Sequence, residues 1–299
     1  MPDRRATRIA PCTVGASRSG LIGRTDVLGL LRDLQVTVGA GGTAVVMVEG
    51  PAGIGKSALV EATMHEAADA GLDVHVGRAR TLDRGLPFAP LAEALDLRAG
   101  HDDARRAALA RLLHGDDVGA VDPSQRRWRL IDGMVELLEH RTATTPALLV
   151  IEDLHWADQD TLTALARITR TVHTGLLLLA SCRSAPRDRT VESALEQLEA
   201  SGAQRLTLQP LTRKEVTRLA ADRLGTDPAP SLEQLLDGAG GNPFFVTSMI
   251  EALRADGAID TTSGAAEAND ATLPPSLHVA LVRWLGFLPP STVEVLTMA

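Results

Sequence analysis

Three apolar runs set the first rhythm of this chain: residues 43–49 (TAVVMVE), 147–151 (ALLVI) and 176–180 (LLLLA). Each is strand-sized, and runs this continuous predict strands buried on both faces of a sheet. The stretches 73–77 and 204–208, the second alternating, add two more. Between them the spacing turns helical. Val27, Leu30, Leu31 and Leu34 follow Asp26, which is expected to cap their helix. Segments 57–70, 105–113, 128–139 and 158–172 share the helical period, the last with Asp158 as its cap. Strands alternating with helices predict βαβ units and a mostly parallel sheet, an α/β fold.

After Pro210 the rhythm changes. Every segment from 211 to 255 reads as helix, broken at 238–243, where Pro243 suits the first position of a restarting helix. Residues 256–272 are small, polar and acidic and read as a loop or linker. A helix restarts at Leu273, with Leu277, Leu281 and Leu285 on one face. The expected organisation is a tail at 1–19, an α/β core at 20–209, a helical lid at 210–256, a linker at 257–272 and the start of a further helical module at 273–299.

The strongest chemical signal joins the first apolar strand to its helix. Gly50, Pro51, Ala52, Gly53, Ile54, Gly55, Lys56 and Ser57 fit G-x-x-x-x-G-K-[ST] between a strand and a helix. Gly53 and Gly55 allow the positive φ and close approach by which backbone amides encircle phosphate oxygens. The helix that follows turns its positive end to the same anion. Lys56 supplies a compact charge for the β and γ phosphates, and the Ser57 hydroxyl is a candidate Mg2+ ligand. A plain Gly-rich βα turn would not need all eight positions.

A phosphate site of this kind needs carboxylates opposite the loop, and the strand at 147–151 ends in Glu152 and Asp153. One would hold Mg2+ and the other polarise the attacking water. The usual order places Asp first; Glu152 there leaves the division of roles open. Asp158 reads as a helix cap rather than a ligand; Trp156 reads as corner packing and His155 as the maker of a local hydrogen bond, with lining of the site as the alternative for both. The strand at 176–180 delivers Arg183 near its carboxyl end, where parallel strands present ligand contacts. Arg183 is a candidate for the γ phosphate, with an ordinary surface arginine as the alternative.

Composition narrows the classes. The 299 residues carry a net charge of −8, four Phe, three Trp and no Tyr, a poor basis for binding DNA unaided or stacking single strands. Of 30 basic residues only Lys56 and Lys214 are lysines, so lysine persists at the phosphate loop, where a point charge serves better than a guanidinium fork. Two distant cysteines form no disulfide framework or zinc spacing, which suits a reducing cytoplasm. No run approaches the ~18 apolar residues of a membrane helix. Arg4, Arg5, Arg8 and Arg18 stand in a tail without the apolar stretch of a secretory leader.

Residues 21–24 (LIGR), the phosphate loop, 148–158 (LLVIEDLHWAD), 176–183, 241–244 (GNPF) and 273–277 (LPPSL) together resemble the AAA-type signalling ATPases of the STAND class. Among these the pattern is similar to the ATPase part of large ATP-binding LuxR-type bacterial transcription regulators. The resemblance implies an ATP or ADP site with Mg2+ between the α/β core and the helical lid. It implies that Ile22, Gly23, Arg24 and Pro243 approach the adenine and that Arg183 senses the γ phosphate. It further implies slow hydrolysis as a switch, in the cytoplasm, with self-association or a protein partner controlled by nucleotide. Residues 273–299 would begin a winged-helix module; the helix-turn-helix of those regulators has no counterpart here, so no direct DNA binding is expected. The alternatives are a scaffold holding ADP or ATP without hydrolysis, and a small-molecule kinase on the same loop.

Overall fold

A computed structural model of the chain describes residues 21–83, 85–115, 122–184, 189–260 and 265–268. Five parallel strands form the central sheet in the order β2-β3-β4-β1-β5. They are β1 (Thr43–Gly50), β2 (Asp73–Arg78), β3 (Ala147–Glu152), β4 (Leu176–Arg183) and β5 (Gln204–Thr207). β1, β3 and β4, the three apolar runs, occupy its centre. The chain leaves β1 for the far edge at β2, steps back through β3 and β4, and crosses β1 to reach β5.

Both faces are covered, and the two-residue period of the strands divides them. Leu148 and Val150 of β3 pack with α1 (Thr25–Gly39) and α2 (Lys56–Asp69). Leu149 and Ile151, one residue out of phase, join the larger core beneath α3 (Ala89–Ala94), α4 (Ala104–His114), α5 (Pro123–Thr142), α6 (Gln159–Thr171) and α7 (Arg189–Ala200). The described helices after the sheet are α8 (Arg213–Leu224), α9 (Pro230–Asp237) and α10 (Pro243–Ala255), which gather a third apolar cluster around Leu232, Leu236, Val246 and Ile250.

Local chemistry fixes the helix starts. Thr212 and Glu215 form a reciprocal capping box on α8. Asp158 caps α6 as expected, accepting from the Thr161 amide at 2.8 Å, and its Oδ1 also accepts from the Phe88 amide at 3.2 Å. Asn242 caps α10, with Pro243 in the first turn.

Some expectations shift. α1 begins one residue before Asp26, so Arg24 takes the cap position without a side-chain bond and Asp26 lies in the first turn. α5 starts five residues earlier than its apolar spacing, because Asp122 accepts from the Ser124 and Gln125 amides and Pro123 pre-sets the first turn. Within the expected linker, β6 (Ile259–Asp260) pairs antiparallel with β7 (Glu267–Ala268), and Ala266 is buried against the α8–α10 cluster. The expected tail and the start of a further module at 273–299 lie outside the described residues.

Close approach of β2 to α3 sets one steric limit. A Cβ on Gly77 would overlap the Pro90 carbonyl, with its carbon at 2.7 Å. Gly77→Ala should therefore destabilise the chain by about 1–3 kcal/mol, the cost of overpacking against backbone. Gly29, in the interior of α1, offers the opposite case: a Cβ there would meet nothing within 4 Å. Gly29→Ala should stabilise by up to ~1 kcal/mol through helix propensity. Urea unfolding of both variants checks the opposite signs.

Candidate functional site

The candidate residues stand at the carboxyl end of the sheet, where strand order reverses around β1. Register brings them level. Gly50, at the end of β1, pairs with Arg183 of β4, and Arg78 of β2 pairs with Glu152 of β3. Asp153 follows Glu152 in a left-handed conformation (φ 57°), and its amide donates to Ser181 Oγ at 3.1 Å. The loop from Gly50 runs directly into α2, with Gly53 at φ 77° and Gly55 at φ 101° as the helix cap residue. Ser57 is exposed at the first turn of α2.

Lys56 is only 8% exposed. Its Nζ donates to the carbonyls of Gly50 at 2.8 Å and Pro51 at 2.9 Å. Burial holds its pKa down; the Asp153 charge opposes this and the Arg183 charge adds to it. Burial also pushes the Asp153 carboxyl above the usual range, against the pull of Arg78, Arg183 and Lys56, while Glu152 pushes the same way as burial. Three cations thus face a desolvated carboxylate beside a loop of backbone amides. This donor set suits a polyphosphate with a hard cation. Among the described residues no cluster of three or more His, Cys, Asp or Glu could hold a metal alone. Such an ion at Ser57 and Asp153 would draw its remaining oxygens from phosphate and water, as Mg2+ commonly does.

Glu152 is placed differently from Asp153. Its Oε1 accepts from Arg78 Nη2 at 2.6 Å, while its side chain is buried and that of Arg78 is half-exposed. The first carboxylate of the strand end is therefore engaged by an arginine from the neighbouring strand. His155 is buried in a single helical turn after Asp153, its ring 5.0 Å from that of Trp156.

The segment holding Ile22, Gly23 and Arg24 lies against both the loop and the start of α8. Arg24 is 7% exposed, and its guanidinium donates to the carbonyls of Ile54 at 3.0 Å and Gly23 at 3.2 Å. A Cβ on Gly23 would meet Leu211 at 2.6 Å and Glu215 at 2.8 Å. From the start of α10, Asn242 Nδ2 donates to the Ala52 carbonyl at 2.9 Å, and the Phe244 amide donates to the Gly53 carbonyl at 3.2 Å. Pro243 lies between these two contacts, half-buried. All the expected site residues are thus gathered at one end of the sheet. Arg78, Ser181 and Asn242 join them without having been singled out. The only advance signal was positional: Arg78 ends a strand, Ser181 precedes Arg183, and Asn242 stands in the GNPF string.

Fold and loop together define a P-loop nucleoside-triphosphatase architecture. More narrowly, the sequence profile of the AAA ATPase domain matches residues 20–180, over half of the chain, and the chain belongs to that family. An uncharacterised protein of Rhizobium meliloti (strain 1021) is 26% identical over 264 residues, covering 77% of this chain and 25% of that protein. The chain therefore spans a quarter of the length of this curated relative. Two solved structures share the fold. The ORC2 protein of Aeropyrum pernix superposes with a TM-score of 0.53 at 17% identity, over 80% of this chain and 65% of that one. Cdc6p of Pyrobaculum aerophilum gives 0.55 at 13% identity, over 83% and 65%. No described helix is long and apolar enough to cross a membrane.

The buried carboxyl of Asp153 yields a stability prediction. Its folded pKa is raised, so its contribution to stability is full below the unfolded pKa and is lost as pH rises through the folded value. Asn carries no such charge, and it tolerates the left-handed conformation held here. Asp153→Asn should be at least as stable as the parent chain at pH 7. The advantage should vanish below about pH 4, where both forms are neutral. Thermal unfolding across that range checks it.

Proposed function

We propose that this chain binds ATP with Mg2+ and hydrolyses it slowly as a signalling switch. In this reading it is the ATPase part of a STAND-type protein of the LuxR-regulator kind. The observation that carries the proposal is the convergence of Lys56, Asp153 and Arg183 on the glycine-rich loop, beneath contacts from the lid. The ORC2 protein of similar fold forms ADPNP and ADP complexes, and the same ligand class is proposed here.

Lys56 would turn its ammonium from the loop carbonyls toward the β and γ phosphates, and the amides of the loop and of the first turn of α2 would hold the remaining oxygens. Ser57 and Asp153 would hold Mg2+, which when bound neutralises charge developing on the phosphates. Glu152, engaged by Arg78, would orient water or the metal's hydration shell; both carboxylates remain in the candidate set. Whichever of Glu152 and Asp153 is not held to Mg2+ would polarise the attacking water. Arg183 would sense the γ phosphate. Ile22, Gly23, Arg24 and Pro243 would flank the adenine. The core would run over 20–209 and the lid over 210–256, with 273–299 beginning a winged-helix module. Nucleotide state would control self-association or a protein partner in the cytoplasm.

A second reading, a scaffold that keeps ADP without hydrolysis, is favoured by the Arg78–Glu152 pair, which withdraws one carboxylate from the reaction. Identification of the nucleotide in the purified chain, followed by single-turnover hydrolysis, separates the two. The switch predicts retained adenine nucleotide, none retained in Lys56→Ala, and turnover at least about a hundredfold slower in Asp153→Asn with binding kept. Retained nucleotide with no turnover in either the parent chain or Asp153→Asn selects the scaffold. A chain that neither retains nor binds Mg-ATP overturns both.

A further inference from the structure

The phosphate loop is held from outside. Its carbonyls, taken in order, each have a donor. Those of Gly50 and Pro51 accept from Lys56 Nζ, that of Ala52 from Asn242 Nδ2, that of Gly53 from the Phe244 amide, and that of Ile54 from the Arg24 guanidinium. Two of the last three donors come from the start of α10. The third stands beside α8, where the Glu215 charge counters the desolvation of Arg24.

In a trans peptide the carbonyl and the amide of the next residue point in opposite directions. Drawing the carbonyls of Ala52 and Ile54 outward therefore turns the amides of Gly53 and Gly55 the other way. Amides aligned in this manner form an anion-binding nest. We propose that Asn242 is a positioning residue for the phosphate loop: its side-chain amide, docked with the lid, pre-orients the backbone nest for a polyphosphate. This inference rests on the nucleotide reading above, and it assigns the GNPF string a role at the phosphates in addition to any at the base.

Asn242 serves two partners with its two side-chain atoms. Oδ1 accepts from the Phe244 amide and caps α10, while Nδ2 reaches the loop. A cap alone needs only the oxygen, and Ser or Asp fills that role as well. The amide nitrogen is the part that the cap does not explain. By linkage, a lid that improves phosphate binding when docked is itself held down by bound phosphate to the same degree.

The test uses the full chain with a fluorescent adenine nucleotide, displaced either by Mg-ATP or by inorganic tripolyphosphate. Asn242→Ser and Asn242→Asp keep a capping oxygen and lose the amide donor. Both ligands should weaken by the same factor, about five- to tenfold, while the unliganded thermal midpoint stays within about 2 °C of the parent. Weakening of ATP with tripolyphosphate unchanged overturns the proposal and places Asn242 at the base. Unchanged affinity for both also overturns it, as does a parent chain from which tripolyphosphate displaces no nucleotide. A parent chain that binds neither ligand overturns the nucleotide reading itself, and the proposal falls with it. If Asn242→Ser fails to fold, Asn242→Asp decides.

Discussion

A buried ammonium organises this end of the molecule. Lys56 carries its charge into a site where water is largely excluded, and an ammonium so placed is costly unless it is hydrogen-bonded and countered. Two carbonyls of its own loop supply the bonds, and Asp153 supplies the opposing charge. The bonds are local, but the opposing charge is available only where β1, β3 and β4 lie side by side with their carboxyl ends level. The central, leucine- and valine-rich strands therefore do more than fill a core. Their register brings a cation from one βα turn opposite a carboxylate from another. The same register sets Arg183 against Gly50, so a second cation crowds the first. The site thus holds two like charges together with one desolvated carboxylate.

Much of this was legible in the sequence, for reasons that are local. The strands announce themselves because a two-faced strand must be apolar throughout, and the loop because its amides need glycine at fixed positions. The Asp158 cap and the Pro243 start are likewise short-range effects of a side chain on its own helix. What could not be read is long-range pairing. Arg78 and Glu152 are 74 residues apart and Asn242 and Ala52 are 190 apart. No periodicity reports which arginine of many will meet a given carboxylate. α3 escaped notice for a different reason. It is six residues long and begins after Phe88, which is fully buried in a left-handed conformation (φ 61°). That conformation is held by tertiary contacts, including the Asp158 carboxylate on the Phe88 amide, and propensity does not foresee it. The β6–β7 pair was hidden by composition, since two-residue strands among small polar residues look like linker.

Glu152 shows how the same departure from an expected pattern acquires a physical meaning. With Asp at that position the shorter side chain would stop nearer the strand end. Glu extends far enough to form a short ion pair with Arg78 on the adjacent strand. The pair sets a positive charge beside the negative charge of Glu152 in the surroundings of Asp153. That matters because Glu152 is one of the influences raising the Asp153 pKa, and Arg78 is one of those lowering it. The two neighbours act as a buffer on a third group.

Asp153 itself bears two penalties at once, a left-handed backbone and a desolvated carboxyl. Strained or desolvated residues persist where the surrounding structure over-determines them, and they concentrate at functional sites. Here the Ser181 hydroxyl holds the Asp153 amide, and β3 and β4 hold both residues. Stability alone would favour a neutral side chain with the same tolerance for positive φ. The carboxylate that bears both penalties lies where its charge opposes the desolvation of Lys56. Glu152 is thus held by Arg78 at the strand end, and Asp153 faces the charge of Lys56 beside it.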